Sequence, residues 1–271
     1  MPHKPICTTP KEQSSSDYAN AKFHPQEVSR SSSESSRADK PHSNHTDEFS
    51  KRAKSYQRTN VIQKKVVKRL IEGIKNKPKY ILDLGCGEGA VYKQIDWEFE
   101  CFIGVDKAQN MCKLHPHHDK VVLHNTDFED PALYHDIPHV DITIAASSLQ
   151  WAKDLESTIQ NIAKHSDEIA CAIFCDGTFK SIYDITKLPS FLPSHDRSIK
   201  MISKYFDIHQ TRTFYKLDFK DNLSKFRYIK DSGVSGGNRQ LSYHDTKKLI
   251  AAYPHEYLEF EVLFIWGTVK S

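Results

Sequence analysis

The sequence predicts an α/β domain with a mostly parallel sheet of seven strands and helices on both faces, preceded by a disordered tail. Three observations support this fold class. The first 47 residues are poor in apolar side chains, β-branched runs alternate with amphipathic stretches from Tyr80 onward, and the first run breaks into alternate glycines. Alternating strands and helices are typical of a parallel sheet, because a crossover helix must return the chain after each strand.

The tail, residues 1–47, consists mostly of Ser, His, Lys, Pro, Asn and Glu. Its few apolar side chains cannot offset the entropy that ordering the chain would cost. The roughly 220 residues that follow are enough for one core. We therefore expect a single folded domain at residues 48–271.

Hydrophobic periodicity predicts the individual elements of this domain. Strands are predicted at Tyr80–Leu84, Cys101–Val105, Val121–His124, Asp141–Ala145, Ile169–Phe174, Ile208–Leu217 and Tyr257–Thr268. Helices are predicted at Phe49–Lys75, Ala90–Ile95, Ala108–Leu114, Leu155–Ala163, Ser198–Tyr205, Asn222–Lys230 and Tyr243–Ala252.

Composition narrows the class of protein. No apolar run approaches the roughly 18 residues of a membrane span, so we expect a soluble protein without a membrane partner. Six cysteines without a C-x-x-C pair favour a reducing, cytoplasmic location. The net charge is only +3, but from Thr178 onward 15 Lys and Arg stand against 10 Asp and Glu. His115, His117 and His118 are interpreted as a solvated loop, and no metal is expected.

The strongest local signal is I-L-D-L-G-C-G-E-G at residues 81–89, an apolar strand followed by Gly85, Gly87 and Gly89. Such glycines let a ligand approach the backbone, and a helix after them would offer free N–H groups to an anion. The same residues, with Ala90 and with Asp106 about 20 residues on, also match the pattern of nicotinamide-binding folds. The motif alone leaves both interpretations open.

Acidic residues at the strand ends favour S-adenosylmethionine (SAM) over a dinucleotide. Asp83 would repel a pyrophosphate, whereas the amino group and sulfonium of SAM are positive. Asp106 can accept both ribose hydroxyls, and Asp127 with Phe128 can bind and cover the adenine. These positions follow adjacent strands, where open α/β sheets bind their ligands. As isolated residues, Asp83 and Asp127 would equally fit capping or turn roles.

The segments D-L-G-C-G-E-G, F-I-G-V-D and N-T-D-F resemble the class I SAM-dependent methyltransferases. This resemblance covers residues 80–174. It implies a Rossmann-like sheet, SAM as the cofactor, and a cofactor site that also includes Gln63 and Ala146.

The helix predicted before the sheet has a polar stripe on one face. Tyr56, Asn60 and Gln63 are spaced by four and three residues, so they lie on the same side. We interpret residues 48–76 as a lid helix over SAM and substrate. The alternative is a polar patch that faces solvent.

A closer resemblance adds a substrate. The strings F-S-K-R-A-K-S-Y, S-S-L-Q-W-A-K-D-L and F-R-Y-I-K-D-S-G are similar to the malonyl-acyl-carrier-protein O-methyltransferases of biotin synthesis. This implies methyl transfer to the free carboxylate of a malonyl group on acyl carrier protein, with residues 178–271 on the substrate side. Ser147 and Ser148 depart from the Ser-Asn that is usual in that family, and the tail is not part of its pattern.

Four residues are candidates for orienting the malonyl substrate: Tyr56, Gln150, Lys230 and Arg239. Ordinary surface or core roles remain alternatives for Arg239 and Gln150. We expect malonyl-acyl carrier protein as the partner, no nucleic acid, and a monomer.

Other functions stay open from the sequence. They are a SAM-binding assembly factor and a methyltransferase acting on another carboxylate or on RNA, although residues 146–149 do not supply an N-P-P-Y-like site. Residues 233–237 match the G-x-S-x-G of serine hydrolases. A helix rather than a strand is predicted before them, so that interpretation is disfavoured.

Overall fold

The fold is built on a seven-stranded sheet in which one strand is reversed. A computed structural model describes residues 60–232 and 241–271. The strands are β1 (Tyr80–Leu84), β2 (Cys101–Val105), β3 (Val121–His124), β4 (Val140–Ala146), β5 (Ser166–Phe174), β6 (Phe206–Asp218) and β7 (Tyr257–Val269). Their order in the sheet is β3-β2-β1-β4-β5-β7-β6, and β7 is antiparallel to both of its neighbours. The predicted fold class is confirmed.

Helices cover both faces of this sheet. They are α1 (Val61–Glu72), α2 (Gln109–Cys112), α3 (Pro131–Asp136), α4 (Leu155–His165), α5 (Lys180–Thr186), α6 (His195–Ile202), α7 (Asn222–Ser232) and α8 (Tyr243–Ala252). One buried cluster joins α1 and α7 to one face, and another joins α4 and α6 to the opposite face. None of the helices in these two ranges has the length and apolar character that crossing a bilayer requires.

Strand β7 shows how the two layers of the core are filled. Its residues Val262 and Phe264 point into the cluster that contains α1, while Leu263 and Ile265 point into the cluster that contains α4. All four are fully buried. A strand covered by helices on both sides needs apolar residues at consecutive positions, which explains why its sequence does not alternate.

A buried carboxylate on β7 links this strand to the neighbouring strand and to the segments that follow β5. Glu261 is fully buried and accepts hydrogen bonds from the Arg212 guanidinium of β6 and from the Gly177 N–H, the latter at 2.6 Å. The Nδ1 atom of His195 lies 3.7 Å from the same side chain. Glu261 therefore joins β6, β7, the turn after β5 and the start of α6.

The helix predicted to begin at Phe49 is described from Val61, as α1, and ends at Glu72, three residues before its predicted end. Gly73 lies against the Trp266 indole, and a Cβ atom on Gly73 would fall 2.3 Å from that ring. The indole N–H also donates to the Leu70 carbonyl at 3.1 Å. The indole therefore packs directly against the end of the helix and leaves no room for a side chain at position 73. Residues 49–59 of the predicted helix lie outside the described residues.

The predicted helix Ala90–Ile95 is wrong, since only a 3₁₀ turn at Tyr92–Gln94 forms there. The connection from β1 to β2 has 16 residues, and the glycine turns take up its first part. Ile95 is already extended, and the indole N–H of Trp97 donates to the Pro78 carbonyl at 3.0 Å. No helix N-terminus is therefore available behind the glycines for an anion.

Other boundaries differ by smaller amounts. The strands β1, β2 and β3 have the predicted bounds, whereas β4 to β7 are longer by one to three residues at an end. Helix α6 starts at His195 because the Ser194 hydroxyl caps it, accepting from the Arg197 N–H. Helices α3 and α5 were not predicted. For α3 the start signals were present, since Asp130 caps it and Pro131 is its first residue.

Candidate functional site

A cavity of about 130 Å³ opens where the carboxyl ends of β1, β2 and β4 meet the first turns of α1. It is the site that a parallel sheet of this order offers to a ligand. Its wall includes Asn60, Gln63, Lys64 and Val67 from α1 and its cap, Gly85, Cys86, Gly87 and Glu88 from the glycine loop, and Asp106, Lys107, Met111, Phe128, Ala146, Ser147 and Trp151.

The glycine loop is held against the sheet by its backbone. Gly85 and Gly87 have φ of 77° and 53°, a region that favours glycine. The N–H groups of Gly85 and Cys86 both donate to the Val105 carbonyl, at 2.7 and 3.0 Å. A Cβ atom on Gly85 would lie 2.4 Å from the Ser148 Cβ. The loop can thus pass close to β4 and leave the cavity open above it.

Gly89, the third glycine of the motif, has a different environment. It does not line the cavity, and a Cβ atom there would lie 2.7 Å from Pro116 and 2.9 Å from the His115 ring. The interpretation as a solvated loop is therefore wrong for His115, which is buried against the glycine loop, while His117 and His118 are exposed. Burial lowers the pKa of His115, which is consistent with a packing role for this ring.

Asp106 lies at the end of β2 and on the cavity wall. Its two carboxylate oxygens accept from the N–H groups of Gly87 and Ala108, at 2.9 and 2.8 Å. Burial raises its pKa from the ordinary value, and those two hydrogen bonds oppose the rise. Each carboxylate oxygen can accept a second hydrogen bond. The Asp106 carboxylate is therefore fixed in place, and its two oxygens can still accept hydrogen bonds from two ribose hydroxyls.

Asp83, a predicted cofactor-binding residue, lies in β1 beneath the cavity. It is fully buried and is not part of the cavity wall. Neither of its oxygens has a hydrogen-bond partner among the described residues. Burial and the nearby Asp106 raise its pKa well above the ordinary value. A positive charge in the cavity would stabilise its ionised form at a distance, without direct contact.

Of the two residues predicted to bind and cover the adenine, Asp127 and Phe128, only Phe128 is part of the cavity wall. The carboxylate of Asp127 lies outside the wall and accepts from the Lys107 ammonium at 3.3 Å and from the Glu129 N–H at 3.1 Å. Lys107 does line the cavity. Asp127 therefore positions a cation at the rim of the cavity. The only sequence signal for this role is the position of Lys107 directly after Asp106.

Some residues of the cavity wall have buried side-chain oxygens without a hydrogen-bond partner among the described residues. Within 60–232 and 241–271, the side-chain oxygens of Asn60, Gln63 and Ser147 have no hydrogen-bond partner. Two of these are amide oxygens placed as acceptors, which suits the hydroxyl, amino and ammonium donors of SAM. Sequence reasoning missed Ser147, which lines the cavity and has a φ of 66°; a left-handed serine leaves no pattern in the sequence.

Ser148, which replaces the usual asparagine of the resembled family, has a structural contact. It is buried, and its hydroxyl donates to the Leu84 carbonyl at 2.5 Å. This hydrogen bond ties the end of β4 to the end of β1, directly under Gly85. The departure from the family pattern therefore affects the floor of the cavity.

The four candidates for substrate orientation are not brought together by the described residues. Gln150 lies next to the wall, where its amide donates to the Ser147 carbonyl at 2.8 Å. Lys230 is exposed on α7 and does not line the cavity. Tyr56 and Arg239 lie outside the described residues, as does the loop at 233–237.

The reversed seventh strand, the glycine turn after β1 and the acid after β2 together define a class I methyltransferase fold, whose cofactor is SAM. Residues 82–166 match the family model described as "Methyltransferase domain". The unpaired acceptors and the fixed Asp106 fit the hydrogen-bond donors of that cofactor.

One curated protein is similar to this chain over part of its length. The malonyl-[acyl-carrier protein] O-methyltransferase of Anoxybacillus flavithermus is 29% identical over 143 residues, which are 50% of this chain and 54% of that protein. The chain thus spans about half the length of the relative it matches.

Solved structures support the fold. YcgJ from Bacillus subtilis matches with a TM-score of 0.57 at 13% identity, covering 76% of this chain and 99% of the other. A SAM-dependent methyltransferase from Thermotoga maritima matches with a TM-score of 0.52 at 12% identity, covering 83% and 100%.

Replacing Asp106 with alanine is expected to weaken SAM binding by at least about tenfold, because hydrogen bonds to a charged group contribute roughly 1.5–3 kcal/mol. Isothermal calorimetry measures the affinity. Asp130→Ala is the matched control, since Asp130 caps α3 and does not line the cavity. An unchanged affinity in Asp106→Ala would remove this residue from the site.

Proposed function

We propose that this protein transfers the methyl group of SAM to the free carboxylate of a malonyl group carried on acyl carrier protein. The product is the malonyl methyl ester that starts pimeloyl synthesis for biotin. The observation that carries the proposal is the similarity to the malonyl-[acyl-carrier protein] O-methyltransferase of Anoxybacillus flavithermus. The shape and chemistry of the cavity support it.

The nucleophile in this reaction needs no general base, because a carboxylate is already ionised at neutral pH. SAM supplies the methyl group when it is bound. The protein has to hold the carboxylate oxygen, the methyl carbon and the sulfur in line, and such proximity can contribute about 7–11 kcal/mol. Asp106 is engaged by two backbone N–H groups, which is consistent with a binding role rather than proton transfer.

An aromatic wall next to the cofactor supports an acyl substrate. Trp151 lines the cavity and stacks on Phe191 with 5.9 Å between ring centroids. Tyr183 packs on the edge of the same Phe191 ring at 6.5 Å. These rings exclude water from the reacting atoms, and a drier site strengthens the electrostatic interactions in it.

The substrate-side residues are assigned separate tasks in this proposal. Gln150, held against the Ser147 carbonyl, and Tyr56 orient the malonyl group, and Arg239 binds its oxygens. Lys230 is exposed on α7, so it faces the carrier protein instead of the reacting carboxylate. Neutralising the carboxylate as an ester removes the cost of desolvating a charge in the apolar tunnels of chain elongation, several kcal/mol in order of magnitude.

The carrier protein is expected to dock on exposed cations of α7 and α8. Arg227 and Lys230 on α7, with Lys247 and Lys248 on α8, are all exposed. Carrier proteins are acidic, and opposite charges on two surfaces accelerate association in a way that salt screens. At low substrate concentration, the turnover should therefore fall as ionic strength rises.

The test is a methyl-transfer assay with purified malonyl-acyl carrier protein and SAM, read by intact-protein mass. We expect a gain of one methyl group, and loss of that group on mild saponification. Acetyl-acyl carrier protein is the control and should give no product, because it has no free carboxylate. Absence of an ester on the malonyl form, or methylation of RNA instead, would contradict the proposed substrate and leave the cofactor site unaffected.

A further inference from the structure

Two buried thiols lie next to each other at the cofactor cavity, and the proposed reaction uses neither. Cys86 belongs to the glycine loop and lines the cavity, and Cys112 is the last residue of α2. Their exposed fractions are 3% and 8%, and the two thiols are hydrogen-bonded to each other. The Cys112 sulfur also lies 3.5 Å from the Asp106 carbonyl oxygen.

We propose that Cys86 and Cys112 are a redox modification site, at which a reversible disulfide lowers the affinity of the protein for SAM. A disulfide requires an S–S distance of about 2.05 Å, so two hydrogen-bonded thiols need to approach by only about 1–2 Å. The segments that carry them can supply this movement. Cys86 stands between two glycines, and α2 is a helix of four residues.

The disulfide would reach the cofactor through Asp106. One carboxylate oxygen accepts from Gly87, the residue after Cys86, and the other accepts from Ala108, where the chain turns into α2. Drawing the glycine loop and α2 together shortens the gap that this carboxylate now bridges. The carboxylate then cannot keep both hydrogen bonds in their present geometry, and it shifts on the cavity wall.

Hydrogen peroxide is an oxidant small enough to enter the cavity and reach the pair. The Cys86 thiol donates to Cys112, and this hydrogen bond lowers the pKa of Cys112, which favours the reactive thiolate there. The Cys112 thiolate attacks peroxide and forms a sulfenic acid with release of hydroxide. The hydroxide takes the Cys86 proton, and the Cys86 thiolate displaces the sulfenic oxygen as water after protonation. Two thiols and one peroxide thus give one disulfide and two waters.

Cofactor binding and oxidation are coupled in both directions. If the disulfide weakens binding by a certain factor, bound cofactor must disfavour the disulfide by the same factor. Cys86 is part of the cavity wall and Cys112 lies next to it, so an occupied cavity also blocks the route by which peroxide reaches the pair. The protein is therefore most sensitive to oxidation when the cofactor is scarce.

The experiment treats the reduced full-length protein with hydrogen peroxide, with and without S-adenosylhomocysteine as a non-reacting probe. We expect a tryptic peptide pair linked through Cys86 and Cys112, and less of it when the probe is present. Calorimetry should show at least about tenfold weaker binding of the probe to the oxidised protein, and dithiothreitol should restore the affinity.

Two cysteine variants separate this effect from general oxidation damage. Cys112→Ala should bind the probe like the unaltered protein and keep that affinity after peroxide. Cys175→Ala is the matched control, because Cys175 is also buried but its thiol donates to the Ile173 carbonyl; this variant should stay sensitive. Absence of the Cys86–Cys112 link, an unchanged affinity after oxidation, or a sensitive Cys112→Ala protein would overturn the proposal. All these readouts use cofactor affinity, so they are independent of the acyl substrate.

Discussion

Gly85→Ala is expected to lower the free energy of unfolding by about 2–5 kcal/mol, through a left-handed backbone and an overpacked contact. The φ of Gly85 is 77°, and the new methyl group would lie 2.4 Å from the Ser148 Cβ. Ser148 cannot retreat without losing its hydrogen bond to the Leu84 carbonyl. Urea unfolding measures the loss, and the same variant should lose cofactor binding.

Gly87→Ala is the matched control for this prediction. Gly87 also has positive φ, but the nearest atom to its new methyl group would be the Met111 Cε at 3.4 Å. Only the backbone cost of about 1–2 kcal/mol should then remain. If both variants lost the same free energy of unfolding, contact with Ser148 would not be the cause of the larger loss expected for Gly85→Ala.

Glu261→Leu should cost about 2–4 kcal/mol of unfolding free energy, because the change leaves a buried N–H unsatisfied and breaks a buried ion pair. The Gly177 N–H would lose its acceptor, and the Arg212 guanidinium would lose its partner. The side chain of Arg212 is 42% exposed and can turn toward water, so we place the loss below that of a fully buried pair. Urea unfolding measures it.

The control is an ion pair at the surface. Glu156 accepts from Lys204 at 2.5 Å, but both side chains are more than one third exposed. Glu156→Leu should leave the free energy of unfolding nearly unchanged, because water and salt screen such pairs. If both leucine variants were equally stable, Glu261 would not be the link between β6, β7 and the turn after β5.

The sheet could be predicted because most of its strands are apolar runs, and the first two of them end before a glycine and an aspartate. The strand Tyr80–Leu84 stops where Gly85 begins, and Cys101–Val105 stops before Asp106. The helix after the glycines could not be predicted correctly from periodicity. Its absence depends on the Trp97 contact with Pro78, which is a tertiary hydrogen bond.

The candidate site could be predicted in outline, since Gly85, Gly87 and Asp106 follow neighbouring strands of the same sheet. The predicted strands already place Asp83 inside β1 and Asp106 after β2. The sequence could not show which of these side chains lines the cavity, because that depends on how the glycine loop and α1 pack over the strand ends.

The insertion of β7 between β5 and β6 constrains the order in which the protein can fold during synthesis. Strand β6 emerges from the ribosome before β7, yet β7 is its neighbour in the sheet, and β7 pairs with β5 about 90 residues after β5 has been made. Until β7 arrives, β5 has an unpaired edge and β6 has no place in the sheet. Contacts between distant segments form slowly and leave strand edges exposed in the meantime. The nascent chain is therefore open to chaperone binding and to aggregation through those edges until β7 has been translated.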